Sequence, residues 1–394
     1  MIHTLVCSFL LFGWCCSVKA SNGGSILSPE IAKTQMMQII TPRLEWAISN
    51  NNFAVQSFNA EWEPIPTETK ALYKQARQVY LFAQSYKATA DRRYLQATIA
   101  SADFMLRYMF DEPSATWFAS VNSTMPNQHY SSNEYDTSFA LFAMAHAYEV
   151  TQNKRYLDAA LSTWMLADLS TGFVLAKGKY NDNDLLTHDI KSWSTNSLMH
   201  LFEALIALYK VTDSDAIWQD IILITKFVGT DLLQEAGFIA EYYQSSFQPL
   251  SIVDGGYVEL GHQVEWAYLL HTAVDLGLDI KFRRVATQLV EYALAIGWDA
   301  STGSLAARAN YKQQVIDNKP VWWAQAELMR LFTYLSADTS NLYLFSKSYA
   351  FCINNYINQI NGGWQAKIPL NKENKKQTKV LGYHAVAAYL EVIN

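Results

Sequence analysis

Apolar residues recur at three- and four-residue intervals over residues 31–48, 74–88 and 92–109, the spacing that lines them up on one face of an α-helix. Thr89-Ala90-Asp91 interrupts the last two stretches and predicts a short turn between antiparallel helices. The same phrase then returns. VYLFAQSYKATADRRYLQAT is answered by LFAMAHAYEVTQNKRYLDAA, so that Tyr86, Thr89, Tyr94 and Leu95 correspond to Tyr148, Thr151, Tyr156 and Leu157. A third copy, FEALIALYKVTDSDAIWQDI, keeps Tyr209 and Thr212 in place, and weaker copies follow in phase near Trp266 and Ala326. Between copies lie longer connections, each with one strand-like phrase: NFAVQS, WFASV, GFVLA, GFIAEY, GSLAAR and GGWQAK. A fixed period of this kind marks a repeat architecture.

The polar positions carry the same period. His200 and His262 are 62 residues apart, and each opens an H-x-x-E spelling with Glu203 or Glu265. Further steps of that length reach Trp322 in VWWAQAEL and His384 in LGYHAVAAYL; backward steps reach EYDTSFALFA and then Arg77. Each of these six stations follows a long connection and begins a helix, so all six belong at one mouth of a ring. The expected fold is all-α: an (α/α)6 toroid of six inner and six outer helices, with short β-hairpins crowning the mouth. The helix over 31–48 would close the ring against the last unit.

Half of the 394 residues are hydrophobic and only 17% are charged, which supports a large core and argues against disorder. A single core usually stops growing near roughly 250–300 residues, and a ring resolves that tension, so residues 21–394 are read as one domain. Net charge is −6 with no basic run, which argues against a nucleic-acid partner. Residues 1–20 combine an apolar run with Val18-Lys19-Ala20 and read as an export signal, so a periplasmic or secreted protein is expected. The run is too short to span a membrane, and no membrane partner is expected once it is removed. Three of four cysteines lie in that signal, leaving Cys352 and no intrachain disulfide. The pattern carries no signature of an oligomeric state.

Three chemistries could use a mouth lined by Arg77, His200, His262 and His384. The histidines might be imagined around zinc with Glu265 as base, but the close H-E-x-x-H or C-x-x-C spellings of metal sites are missing, and neither a metal nor another cofactor is expected. A glycosidase would need two carboxylates, and Asp136, Glu203, Glu265 and Glu327 offer candidates. Proton transfer at carbon suits histidine, whose ordinary pKa lies near about 6.5, with an arginine to hold the enediolate.

ARQVYLF, YDTSFALFA, NSLMHLFEALIALY, GHQVEWAYLL, WWAQAE and the GYH before the last helix together resemble the N-acylglucosamine 2-epimerase family, which includes cellobiose 2-epimerases and mannose and sulfoquinovose isomerases. The resemblance implies an (α/α)6 barrel that interconverts free sugars through an enediol without metal. It implies His262 and His384 as the pair exchanging the C2 proton, with His200 assisting. Arg77 would hold the enediolate oxygens and Glu265 would orient a histidine or a hydroxyl. Tyr135, Asn196, Trp323 and Glu327 would line the sugar site, and Trp322 would be packing. Asp136 reads equally well as a helix cap, and Glu203 as a tie to a neighbouring helix. The chain departs from family habit at Tyr73, at Thr137 and at Lys379-Val380-Leu381-Gly382, where disaccharide-active relatives tend to carry a tryptophan. The expected partner is therefore a small free sugar, a monosaccharide before a disaccharide. A glycoside hydrolase of the same fold and an inactive carbohydrate-binding protein are the alternatives.

Overall fold

Ser28 caps the first helix by accepting a hydrogen bond from the Ile31 amide, and Pro29 occupies its first turn, where a missing N–H costs nothing. This helix, α1 (Pro29–Ser49), belongs to a computed structural model that describes residues 27–122, 130–167, 192–244, 246–366 and 378–394. The export signal over 1–20 and the GFVLA phrase lie outside the described residues. Eleven further α-helices follow among the described residues. They are α2 (Leu72–Thr89), α3 (Arg92–Tyr108), α4 (Glu134–Thr151), α5 (Lys154–Ala167), α6 (Thr195–Thr212) and α7 (Asp215–Phe227). The series continues with α8 (Leu260–Asp275), α9 (Phe282–Gly297), α10 (Trp322–Tyr334), α11 (Thr339–Asn355) and α12 (Tyr383–Ile393).

The even-numbered helices pack side by side in a closed ring, α2 to α4 to α6 to α8 to α10 to α12 and back to α2. Each of the first five packs against the helix that follows it, and α12 is covered by α1. The chain is an (α/α)6 barrel with six inner and six outer helices, closed by its two ends as the repeat implied. The inner helices explain their sequences: α6 has a run from Ser197 to Leu208 that is buried all round, and α9, on the outside, shows a single apolar stripe.

The short turns share one construction. Thr89, Thr151 and Thr212 each return their hydroxyls to the carbonyl four residues back, and Ala90, Gln152 and Asp213 take left-handed φ values of 57°, 54° and 52°. Asp91 and Asn153 then cap the next helix. At the other end the connections carry small antiparallel pairings, 69–71 with 120–122, 192–194 with 242–244, and 308–309 with both 258–259 and 315–317. Three buried glutamines pin these connections to the inner helices. Gln75 accepts from the Val55 amide and donates to Phe53, Gln263 bonds both backbone groups of Ile239, and Gln325 both of Leu305.

Ring closure depends on close contacts at one seam. Gly382 has φ +88°, and a Cβ there would lie 2.6 Å from Ile39 of α1, so only glycine fits. Arg43 of α1 is buried and donates to the carbonyls of Gln56 at 3.2 Å and Val380 at 2.7 Å, tying the first helix to both flanking connections. Its guanidinium lies over Phe58 and Trp62, and burial lowers its pKa to about 9.

Candidate active site

The repeat brings its stations together at the N-terminal ends of the inner helices. Arg77 lies in the second turn of α2, Tyr135 at the start of α4, Asn196 and His200 in the first turns of α6, His262 and Glu265 in those of α8, Trp323 in that of α10 and His384 in that of α12. The indole of Trp323 stands between two of the histidines, 4.9 Å from the His262 ring and 5.6 Å from the His384 ring, centroid to centroid. Gly261 makes this possible, because a Cβ there would meet Trp323 and Ala324 at 2.6 Å. Trp322, expected as packing, stands edge-on to both Trp364 and, at 5.7 Å, the His384 ring.

Each of the three histidines is held at Nδ1 by a glutamate. His200 meets Glu203 at 3.2 Å, His262 meets Glu241 at 2.7 Å and His384 meets Glu327 at 2.7 Å. No protein partner reaches their Nε2 atoms among the described residues, which leaves that nitrogen for a ligand. Their surroundings pull them apart. Burial lowers His262, but the Glu241 carboxylate outweighs it, and the net shift is upward from the ordinary 6.5. Burial, with Arg77 and His200 adding positive charge, holds His384 well below that value. His200 is also lowered, by burial, against the pull of Glu203.

Arg77 sits in an aromatic box. Its guanidinium lies 4.3 Å from the centre of Phe139 and 4.9 Å from that of Tyr383, and it donates to the Tyr135 hydroxyl at 2.8 Å. Its Nε is buried without a partner, and it pairs with no carboxylate among the described residues, so its charge is uncommitted. The Asn196 side-chain oxygen is likewise buried and unbonded.

Two glutamates differ from their expected places. Glu265, expected to orient a histidine or a hydroxyl, hydrogen-bonds to no residue; its carboxyl approaches His384 Nδ1 only to 3.9 Å, and both oxygens are buried without a hydrogen bond. Burial and the neighbouring Glu327 and Glu203 hold its carboxyl well above the usual carboxylate range. Glu327, expected along the sugar wall, is fully buried behind His384. Glu203 does tie helices together: it accepts from Tyr383 of α12 as well as facing His200. The cap of α4 is Asn133, whose side chain accepts from the Asp136 amide, and Asp136 sits one turn inside.

Sequence reasoning missed two residues here. Glu241 belongs to the GFIAEY connection and is placed by the pairing of 192–194 with 242–244, where the Ser194 hydroxyl also donates to it at 3.3 Å. Arg330 lies deeper in α10, within 3.5 Å of Glu327 and 3.9 Å of Glu203. The available signal was an arginine inside the otherwise apolar ELMRLF stretch. Among the described residues, His200, Glu203 and Glu265, and also Glu265, Glu327 and His384, hold ligand-type atoms within 4.8 Å of one another. In these groups the His200 and His384 Nδ1 atoms are hydrogen-bonded to Glu203 and Glu327, and Arg330 stands 3.5 Å from Glu327.

Comparison with known proteins shows the family and the fold. The sequence profile of the family described as N-acylglucosamine 2-epimerase matches residues 53–388. A D-mannose isomerase of Marinomonas mediterranea is 20% identical over 96% of this chain and 98% of its own. A cellobiose 2-epimerase of Bacteroides fragilis is 21% identical over 88% of this chain and 94% of its own. A crystal structure of a D-mannose isomerase superposes with a TM-score of 0.77 at 18% identity, over 93% of this chain and 97% of that one.

Proposed function

This chain belongs to the N-acylglucosamine 2-epimerase family, and we propose that it is a sugar isomerase or epimerase that moves the hydrogen at C2 of a free reducing sugar, using His262 and His384. The observation that carries the reading is the pair of histidines flanking Trp323, each anchored at Nδ1 and driven in opposite directions in proton affinity. Titratable groups pushed apart in this way divide into an acid and a base.

His384, kept neutral, takes the C2 proton of the open-chain aldose through Nε2. The electron pair left on C2 moves toward C1 and the carbonyl oxygen becomes the enediolate oxygen, which Arg77 is placed to hold with its uncommitted charge. His262, carrying a proton, returns one to the other face of C2, re-forming the C1 carbonyl and giving the epimer; for the ketose the O2 hydroxyl proton passes to O1 and the returned proton goes to C1, leaving the carbonyl at C2. In the reverse direction the two exchange roles. Glu265, whose two carboxyl oxygens have no partner, Tyr135 and Asn196 offer polar contacts for the sugar.

A monosaccharide is favoured. Lys379 is buried with its ammonium bonded to the Gly362 carbonyl and lying over Trp62, so that position presents no aromatic plate for a second sugar ring. A glycosidase is disfavoured because Glu203, Glu265 and Glu327 crowd together behind the histidines, whereas glycosidic cleavage wants two carboxyl groups about 5–9.5 Å apart across the bond.

Proton NMR in D2O with mannose, glucose, fructose, N-acetylmannosamine and cellobiose tests the reading. One sugar should lose its C2 signal and give an epimer or ketose, and His262→Ala or His384→Ala should slow this by about 10²–10⁴-fold. No exchange in any sugar by the folded protein, or exchange that survives both substitutions, would refute it.

A further inference from the structure

Arg330 stands out because it is a largely enclosed cation, its side chain 12% exposed, in the wall of the ring, on a helix whose other inward residues are apolar or belong to the site. Its guanidinium lies 3.8 Å from the centre of the Tyr268 ring, and its Nε has no hydrogen-bond partner. Glu203 of α6 and Glu327 of α10 face it at 3.9 and 3.5 Å. Those are the two glutamates that hold His200 and His384. Tyr80 of α2, Tyr383 of α12 and Glu265 of α8 also feel its charge from around the ring, and Lys210 of α6 feels it from below.

We propose that Arg330 is a positioning residue for proton transfer: it keeps Glu327 a carboxylate, and so fixes His384 in the tautomer whose Nε2 is bare and able to take the sugar proton. The inference rests on the reading of His384 as a proton-exchanging residue. The logic follows from which partner owns the shared proton. While Glu327 is ionised it can only accept, so His384 must donate from Nδ1 and expose the Nε2 lone pair. Once Glu327 is protonated it donates to Nδ1 instead, and the imidazole then carries its hydrogen on Nε2, where it cannot act as a base.

The balance is close. Burial raises Glu327 to about 7, even though Arg330 pulls it down. Glu203 adds negative charge nearby, and Arg330 is the cation closest to the group. Without it Glu327 is a neutral acid through the physiological range. Glu203 is less exposed to this change, because His200 and the Tyr383 hydroxyl also stabilise its carboxylate, which stands at about 2.

The test compares the full chain with Arg330→Met, Arg330→Lys and Arg330→Gln. Nitrogen-15 NMR of histidine-labelled protein at pH 8 reads the tautomer without any substrate. The wild type and Arg330→Lys should show His384 protonated at Nδ1, and the other two variants should show it protonated at Nε2. With the sugar that exchanges, the acid limb of the kcat profile should move up by about one to three pH units in Arg330→Met. The kcat at pH 7 should fall about ten-fold or more with KM little changed, and Arg330→Lys should recover most of it. An unchanged tautomer in folded Arg330→Met overturns the proposal, and so does an unchanged tautomer in Arg330→Gln, which stands in if the methionine variant fails to fold. Absence of exchange by the wild type would defeat the functional reading alone, since the tautomers still decide the role of Arg330.

Discussion

At the scale of single residues, the site is a set of imidazoles whose behaviour is decided by what stands behind them. His262 and His384 are chemically identical, yet Glu241 pulls one up while burial beside Arg77 drives the other down. This predicts a bell-shaped dependence of kcat on pH. The alkaline limb belongs to His262, which must keep its proton and so sets that limb above the ordinary 6.5. Removing the Glu241 charge with Glu241→Gln lowers the His262 pKa, so the alkaline limb should move to lower pH and activity at pH 8 should drop about ten-fold or more, while the acid limb stays in place. An alkaline limb that does not move would show that Glu241 does not control this histidine. The repeat length reached Arg77, His200, His262 and His384, the H-x-x-E spelling added Glu265, and only the family resemblance nominated Tyr135, Asn196 and Trp323; the structure brings all eight to helix starts at one mouth. Glu241 was not legible in the sequence, because its place depends on strand pairing between two connections, which no spacing within a helix encodes. Arg330 was passed over because one charge in an apolar helix reads as a solvated edge until the ring is closed around it.

At the scale of elements, the connections at the mouth matter as much as the helices, and glutamine is the device that fixes them. Gln263 follows His262 directly and holds both the amide and the carbonyl of Ile239, two residues before Glu241. Gln263→Leu would orphan two buried backbone groups and should cost about 2–3 kcal/mol in urea denaturation. It should also lower kcat by loosening Glu241. Gln325→Leu frees Leu305 in the same manner but sits behind no histidine partner, so it should show a similar loss of stability with activity largely retained. Equal losses of activity in the two would separate the latch from the chemistry. The helices themselves followed from the apolar spacing, with ends shifted by a residue or two: residues 74–88 became Leu72–Thr89, and 31–48 became Pro29–Ser49. The latches were invisible beforehand because a glutamine near a helix start looks the same whether it faces water or a buried strand.

At the scale of the whole molecule, a ring has no free end, and its first and last helices must find each other across the full length of the chain. The seam is where this chain concentrates unusual contacts: Gly382 against Ile39, and buried Arg43 bridging the carbonyls of Gln56 and Val380. Arg43→Ala should lower stability by about 3 kcal/mol, since charged hydrogen bonds and the burial of two acceptors are lost together. Unfolding should remain one cooperative transition, read by coincident circular dichroism and tryptophan fluorescence curves, because every unit leans on two neighbours. Separate transitions would mean that the ring opens at the seam before its units melt.

The helix starts around the mouth have one more consequence. Ala71, Glu259, Val321 and Gly382, at the entries to α2, α8, α10 and α12, provide no side-chain cap, while Asn133 and Ser194 cap α4 and α6. Six inner helices thus aim the positive ends of their macrodipoles at one place, each equivalent to roughly half an elementary charge, and four do so without a side-chain oxygen in front. A neutral sugar gains little from such a field. An oxygen that turns negative as its neighbouring carbon gives up a proton gains a great deal, so the architecture itself lowers the energy of the charged intermediate more than that of the sugar at rest.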